Sequence, residues 1–345
     1  MAILPHDPQF LPKPGKLNLI TDVPGLTVGN AEDQAVASGT TVVLAQGEGA
    51  IAAVDTRGGA PGTRETDALR PGTLVDRANA IVLSGGSAFG LDAAGGAQSW
   101  LAAAGRGFHI AGKVVPIVPA AILFDLANGG NKEWGDDPPY RQLGYRACEA
   151  AGLEFQLGNA GAGYGAIAGP VKGGLGSCSA IDPESGYTVG ALIALNSVGS
   201  PITPDGSGLW AWPFELDGEF GVSPPQPVPT GGAYRTKRPR RLGQKAGENT
   251  TIGVVATDAP LTVAQAQRIA IMAHDGLARA IHPVHTPFDG DLLFSLGATD
   301  GKTGTVSPDL LMHLGALTAD AVARAVGRAV VTAETLHDRT AFIDI

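Results

Sequence analysis

Asn249-Thr250-Thr251 stands directly before a strand-like run, Ile252-Gly253-Val254-Val255-Ala256-Thr257, and behind a Pro-rich and then basic connecting stretch. A hydroxyl residue at the start of a buried strand is well placed to become a new chain terminus. Cleavage of the Asn249–Thr250 peptide would leave Thr250 with a nucleophilic hydroxyl and, in its own α-amine, a base of pKa about 8. Thr250 could make that cut itself, its oxygen attacking the Asn249 carbonyl to give an ester that water hydrolyses. On these residues alone, two other readings stand. Asn-Thr-Thr is also an N-glycosylation sequon, and also an ordinary loop entering a strand.

Several other stretches carry residues of the right type. Asp289 and Asp291, separated by one residue ahead of Leu292-Leu293-Phe294, lie on one side of an extended chain, where they would orient the Thr250 amine and hydroxyl and tune their protonation. His285 is the one further ligand type near them, so no metal site is expected. Asn196 ends the apolar run Val189–Leu195, and a polar amide closing a buried strand needs partners. It is either an oxyanion donor or a cap on the turn into Gly199-Ser200-Pro201. Lys172 lies among the glycines of 169–176, and either reaches into a site or is a solvated loop lysine. Ser87 belongs to Ser84-Gly85-Gly86-Ser87-Ala88-Phe89-Gly90, a strand–glycine–helix junction that can aim N–H groups at an anion. The junction lacks the last glycine of a nucleophile elbow and is not a phosphate loop, and close helix–sheet packing explains its glycines equally well. Arg57, in the turn 56–63, is either a carboxylate ligand or a turn-stabilising surface residue.

The elements that must position these groups are short. Leu17–Ile20, Thr40–Ala45, Ala50–Asp55 and Ala80–Leu83 read as strands, and the alanine-rich stretch to about Ala104 as a helix. Val114–Asp125, interrupted by Pro116 and Pro119, reads as an edge strand or pocket wall. Tyr140–Ala151 reads as a helix carrying Cys148. Thr262 and Gln265 form a capping box for a helix whose apolar stripe runs from Ala266 to Ile281, with His274 beside it as a structural residue. A last helix spans about Pro308 to Ala333. Residues 222–248 read as an exposed connector.

With 345 residues, 50 glycines and 25 prolines, the chain can bury a sizeable core joined by tight turns. A net charge of −9 without a basic face argues against nucleic acid. Cys148 and Cys178 have no metal-type spacing and read as reduced, packed thiols. No signal-like leader or membrane-length run is read, so a cytoplasmic location is expected, which also removes the glycosylation reading of Asn249.

Taken together, Ile81–Leu91, the glycine region 161–176, the strand ending in Asn196, Asn249-Thr250-Thr251-Ile252, and Asp289-Gly290-Asp291 with Leu293-Phe294 resemble one family in its own order. That family is the self-processing hydrolases that include DmpA-type L-aminopeptidase/D-amidases, β-peptidyl aminopeptidases and NylC-type nylon-oligomer hydrolases. The resemblance implies an α/β fold, a four-layer α/β/β/α sandwich of the DmpA/ornithine-acetyltransferase type, self-cleaved into an α-chain (1–249) and a β-chain (250–345). It implies that Thr250 attacks an amide carbonyl, that Asp289 and Asp291 orient and activate it, that Asn196 stabilises the oxyanion, and that Lys172 is the family's lysine. No cofactor is implied, the substrate is a small peptide or amide such as a 6-aminohexanoate oligomer, and the processed protomers assemble as a homo-oligomer, a tetramer in the family. Two pocket positions depart from the pattern. Phe124 stands where relatives carry a tyrosine, and Ile122 where some aminopeptidases hold the substrate ammonium with an acid. Transfer of an acetyl group, as in the ornithine-acetyltransferase branch, and an uncleaved, non-enzymatic scaffold are the alternatives.

Overall fold

A computed structural model describes residues 11–227, 249–299 and 304–345. The basic run 235–241 and most of the expected connector lie outside the described residues. The chain runs β1 (Leu26–Asp33), β2 (Ser38–Ala45), β3 (Ala50–Thr56), β4 (Thr63–Arg64), β5 (Arg77–Ala78), β6 (Ala80–Ser84), α1 (Ala93–Ala103), β7 (Phe108–Ile110), β8 (Lys113–Val115), β9 (Ala120–Ile122) and α2 (Tyr140–Glu149). It continues with β10 (Ile167–Ala168), β11 (Val171–Lys172), β12 (Gly174–Ile181), β13 (Thr188–Leu195), β14 (Ile252–Thr257), α3 (Val263–Ala280), β15 (Leu292–Leu296) and α4 (Pro308–Val331).

Two sheets carry the molecule, a five-stranded one ordered β1-β2-β6-β9-β4 and a six-stranded one ordered β12-β13-β14-β15-β3-β5. Strand alternation sorts their side chains between cores. On β2, Val42 and Leu44 pack with α1 and α2, while Val43 and Ala45 turn toward the other sheet. On β14 and β15, Ile252, Val254, Leu292 and Phe294 fill the space between the sheets, whereas Val255 and Leu293 join the cluster around α3 and α4. Since strands with apolar residues on both faces read as unbroken hydrophobic runs, the β13 and β14 stretches are legible as buried.

The capping box on α3 forms as expected, with Thr262 Oγ1 accepting the Gln265 N–H at 3.2 Å. Helix α4 starts at a Ser307 cap followed by Pro308. Contrary to the sequence reading, α4 is long and apolar enough to span a membrane by composition. Its Leu314, Val322, Val326 and Val330 lie in the core, and Arg324, 1 % exposed, is ion-paired with Glu219. It is a core helix of this fold.

The expected strand at 17–20 is absent. Asp22 accepts the N–H groups of Leu17 and Leu19, which curls the segment into a 3-10 turn at Ile20–Asp22, and Asn18 takes a positive φ. The strand in that part of the chain is β1. Residues 114–125 form no single edge strand: Ala120–Ile122 lies between β6 and β4. Both cysteines are free and buried.

Candidate active site

The topology of the six-stranded sheet brings the candidate residues to one end. β13 runs antiparallel to β14, pairing Ala194 with Ile252, so the exit of β13 meets the entry of β14. β15 runs parallel to β14, pairing Ile252 with Leu292, so residues 289–291 enter beside 249–251. β3 is antiparallel to β15 and pairs Thr56 with Leu292, delivering Asp55 and Arg57 to the same end. Asn196, Thr250, Asp289 and Asp291 are therefore neighbours because of strand order, and all four are buried.

Thr250 Oγ1 lies 2.6 Å from the carbonyl oxygen of Asn249. The same carbonyl accepts the N–H of Gly290 at 3.0 Å. The Thr250 N–H is held by the main-chain carbonyl of Asn196 at 2.6 Å. A main-chain donor aimed at a carbonyl oxygen is the arrangement that stabilises an oxyanion when a nucleophile adds to the carbon. That donor is missing from the sequence reading, because a peptide N–H has no residue-type signature.

The two aspartates differ from expectation in where they bond. Among the described residues, none of their hydrogen bonds goes to Thr250. Asp289 Oδ1 accepts the Val198 N–H at 3.0 Å, and its Oδ2 accepts the N–H and hydroxyl of Thr286. Asp291 Oδ1 accepts the Thr251 N–H at 2.8 Å, and its Oδ2 meets His285. The physical reason is that Asp289 pairs with Asn249 in a parallel bridge that brings the Gly290 N–H to the Asn249 carbonyl, so each carboxylate braces one side of the segment that presents that N–H. Burial, and then repulsion from Asp291, raises the pKa of Asp289.

The turn at 57–60 clamps this segment from outside. The N–H groups of Arg57 and Gly58 both donate to the Asp291 carbonyl, at 2.9 and 3.0 Å. A Cβ on Gly58 would lie 2.2 Å from the Asp291 nitrogen, so the approach requires glycine. The Arg57 guanidinium pairs with Asp55, which matches the turn-stabilising reading rather than that of a free carboxylate ligand.

Asn196 uses its side chain within the protein. Its Oδ1 accepts the Ile167 N–H at 2.8 Å and its Nδ2 donates to the Phe124 carbonyl at 3.1 Å. Phe124 is thus tied to the site through its backbone. Ile122, buried, is held by Gly62 through its N–H at 3.0 Å. Ser87 sits at φ 51 with its N–H on the Leu123 carbonyl at 2.9 Å, and the preceding Gly86 N–H is held by the buried carboxylate of Asp125 at 2.7 Å. Of these pocket candidates Phe124 is bonded to Asn196, and the Ser87 hydroxyl makes no bond to the nucleophile among the described residues.

Lys172 is buried, and its ammonium donates to the carbonyls of Gly163 at 3.1 Å and Gly173 at 2.8 Å, not to Thr250. Burial, opposed by the Asp125 charge, brings its pKa down to about 7. The solvated-loop reading is therefore excluded. A lysine whose folded pKa lies below its unfolded value of about 10.4 leaves the unfolded chain holding the extra proton between the two. Stability should accordingly rise with pH from about 7 toward 10, by at most about 1.4 kcal/mol per pH unit. Urea melts at pH 7, 8 and 9 check this: the rise should be missing in Lys172→Met, and an identical slope in both proteins would show that Lys172 is not the source.

Residues 18–342 match peptidase family S58. The chain belongs to that family, whose activity is hydrolysis of peptide bonds. It is 45 % identical over 336 residues to an uncharacterized aminopeptidase of Mycobacterium tuberculosis, covering 92 % of this chain and 95 % of that one. It is 30 % identical over 287 residues to a 6-aminohexanoate-oligomer endohydrolase of Kocuria sp., covering 82 % and 75 %. Among solved structures, a Burkholderia sp. beta-aminopeptidase superposes with a TM-score of 0.68 at 23 % identity, over 96 % of this chain and 92 % of that one. The L-aminopeptidase D-Ala-esterase/amidase of Ochrobactrum anthropi, described as a variant of the Ntn hydrolase fold, gives 0.68 at 21 % over 95 % and 90 %. These likenesses establish a mixed α/β fold of the DmpA aminopeptidase kind.

Proposed function

We propose that this chain is a self-processing N-terminal-nucleophile amidohydrolase in which Thr250 cuts the Asn249–Thr250 bond and then serves as the catalytic nucleophile. The observation that carries the reading is the Asn249 carbonyl, with the Thr250 hydroxyl at 2.6 Å and the Gly290 N–H at 3.0 Å on the same oxygen. Thr250 Oγ adds to the Asn249 carbon, the C–N bond breaks, and the hydroxyl proton ends on the departing nitrogen. The product is an ester and a free α-amine. Water then splits the ester, leaving an α-chain (1–249) ending in the Asn249 carboxylate and a β-chain (250–345) with a free Thr250. In the next reaction the amine takes the proton from its own hydroxyl as Thr250 attacks a substrate amide, and water releases the acid from the resulting ester.

The two sheets and two helix pairs, with apolar clusters at each contact, support a four-layer α/β/β/α order of the DmpA/ornithine-acetyltransferase type for the processed enzyme. The substrates are short peptides or peptide-like amides. Ile122 and Phe124 offer no charge to a substrate ammonium, which favours amides with an aliphatic body, such as 6-aminohexanoate oligomers, over strict aminopeptidase substrates. The homo-oligomer and cytoplasmic location expected from the sequence belong to the same proposal.

The test is the intact mass of purified wild type during incubation, followed by an amide screen. Two fragments, the smaller beginning at Thr250, together with release of free acid, support the reading. Acetyl transfer to an amino acid in place of hydrolysis would favour the transferase alternative, and a full-length chain after prolonged incubation would favour the scaffold.

A further inference from the structure

Behind Asp291 lies a pair of histidines that this chemistry does not use. His285 takes φ 54, in the left-handed region that histidine, like asparagine and aspartate, enters more readily than most side chains. Its main-chain N–H at 3.1 Å and its Nδ1 at 2.8 Å both meet Asp291 Oδ2. His274, on α3, places Nε2 3.0 Å from the Asp55 carbonyl oxygen and 3.6 Å from the Asp55 carboxylate, which also pairs with Arg57. The two rings meet edge to face with centroids 4.8 Å apart.

The acceptors fix the tautomers. A carbonyl oxygen can only accept, so His274 carries its proton on Nε2. Burial keeps that ring neutral, drawing its pKa down to about 4. His285 must carry a proton on Nδ1 to donate to a carboxylate. The remaining nitrogens, His274 Nδ1 and His285 Nε2, are buried and make no hydrogen bond among the described residues. Two rings whose second nitrogens are left idle are placed for orientation rather than for a continuous proton path.

We propose that His285, backed by the His274 ring, is a positioning residue that locks the rotation of the Asp291 carboxylate. With Oδ2 held by two donors from one residue, Oδ1 is aimed at the Thr251 N–H, which fixes the main chain on the C-terminal side of the Thr250 nucleophile. Asp289, on the other side of Gly290, repels the same carboxylate, so an unheld Asp291 would turn away. This inference rests on the reading of Thr250 given above and adds to it the group that sets its geometry.

Two variants compatible with φ 54 test it without imposing backbone strain. His285→Gly removes the ring, and His285→Asn keeps a donor near the Nδ1 position. The first-order rate of self-cleavage, followed by intact mass, should fall about 10- to 100-fold in His285→Gly and return to within about threefold of wild type in His285→Asn. Equal losses in both variants, or no loss in His285→Gly, would overturn the proposal. A second readout does not depend on cleavage. Long-range 1H–15N spectra of full-length Thr250→Ala should show His285 protonated at Nδ1, with that signature lost when Asp291→Ala, which removes the acceptor, is added. A ring bare at Nδ1 would refute the positioning role even if wild type never cleaves, so failure of this inference and failure of the Thr250 reading remain distinguishable.

Discussion

Thr250→Ala is expected to remain a single chain of 345 residues and to lose amide hydrolysis by on the order of 10⁴-fold or more. The cut needs the hydroxyl as nucleophile, and turnover needs both the hydroxyl and the amine that the cut releases, so one substitution removes both. The fold should be little affected. The hydrogen bond made by Thr250 Oγ1 goes to Asn249 O, and losing such a bond costs about 1 kcal/mol. Thr250→Ser separates chemistry from shape: it keeps the hydroxyl but loses the methyl that restricts χ1, and should still cleave, more slowly. Intact mass and a thermal melt of the three proteins decide the matter. Appearance of a fragment beginning at residue 250 in the alanine variant would assign the cut to another group.

Where function depends on a side chain at the end of a strand, the sequence is legible. Ile252–Thr257 is bounded as read, and an apolar run buried on both faces can be recognised without knowing its neighbours. Given the parallel and antiparallel order of β13, β14 and β15, Asn196, Thr250 and the Asp289–Asp291 pair must meet. Other parts of the site have no such mark. Leu17–Ile20 has the composition of a strand, yet the carboxylate of Asp22 captures its N–H groups first. The aspartates looked like partners of Thr250, but their lone pairs are taken by main-chain N–H groups of Val198 and Thr251, contacts set by register rather than residue type. His274, beside an apolar stripe, reads as structural until β3 brings Asp55 to it, and His285, too isolated in sequence to make a metal site with the aspartates, has no role until its ring is seen against Asp291. The α4 sequence meets a membrane-length criterion, and only its packing with α3 and the six-stranded sheet identifies it as core.

Gly290→Ala should be the most damaging substitution that leaves every proposed catalytic side chain in place. A Cβ at this position would lie 2.6 Å from Thr250 Oγ1 and 2.7 Å from the Ala60 carbonyl oxygen. The Ala60 oxygen is main chain in the turn that clamps the segment and cannot yield cheaply, and a rotation of Thr250 Oγ1 would itself take the nucleophile off the Asn249 carbonyl. The backbone at 290 must therefore retreat, carrying its N–H away from the Asn249 carbonyl and loosening the braces at Asp289 and Asp291. Removal of one oxyanion donor lowers rates by about 10²- to 10³-fold, and self-cleavage should slow by at least that factor. Gly152→Ala is the matched control, because the nearest atom to its added Cβ is the Glu154 carbonyl oxygen at 3.6 Å, an ordinary contact. It should cleave like wild type. If Gly290→Ala also cleaves at the wild-type rate while melting normally, the Gly290 N–H is not the group that stabilises the developing charge, and the Thr250 hydroxyl must act on a carbonyl polarised from elsewhere.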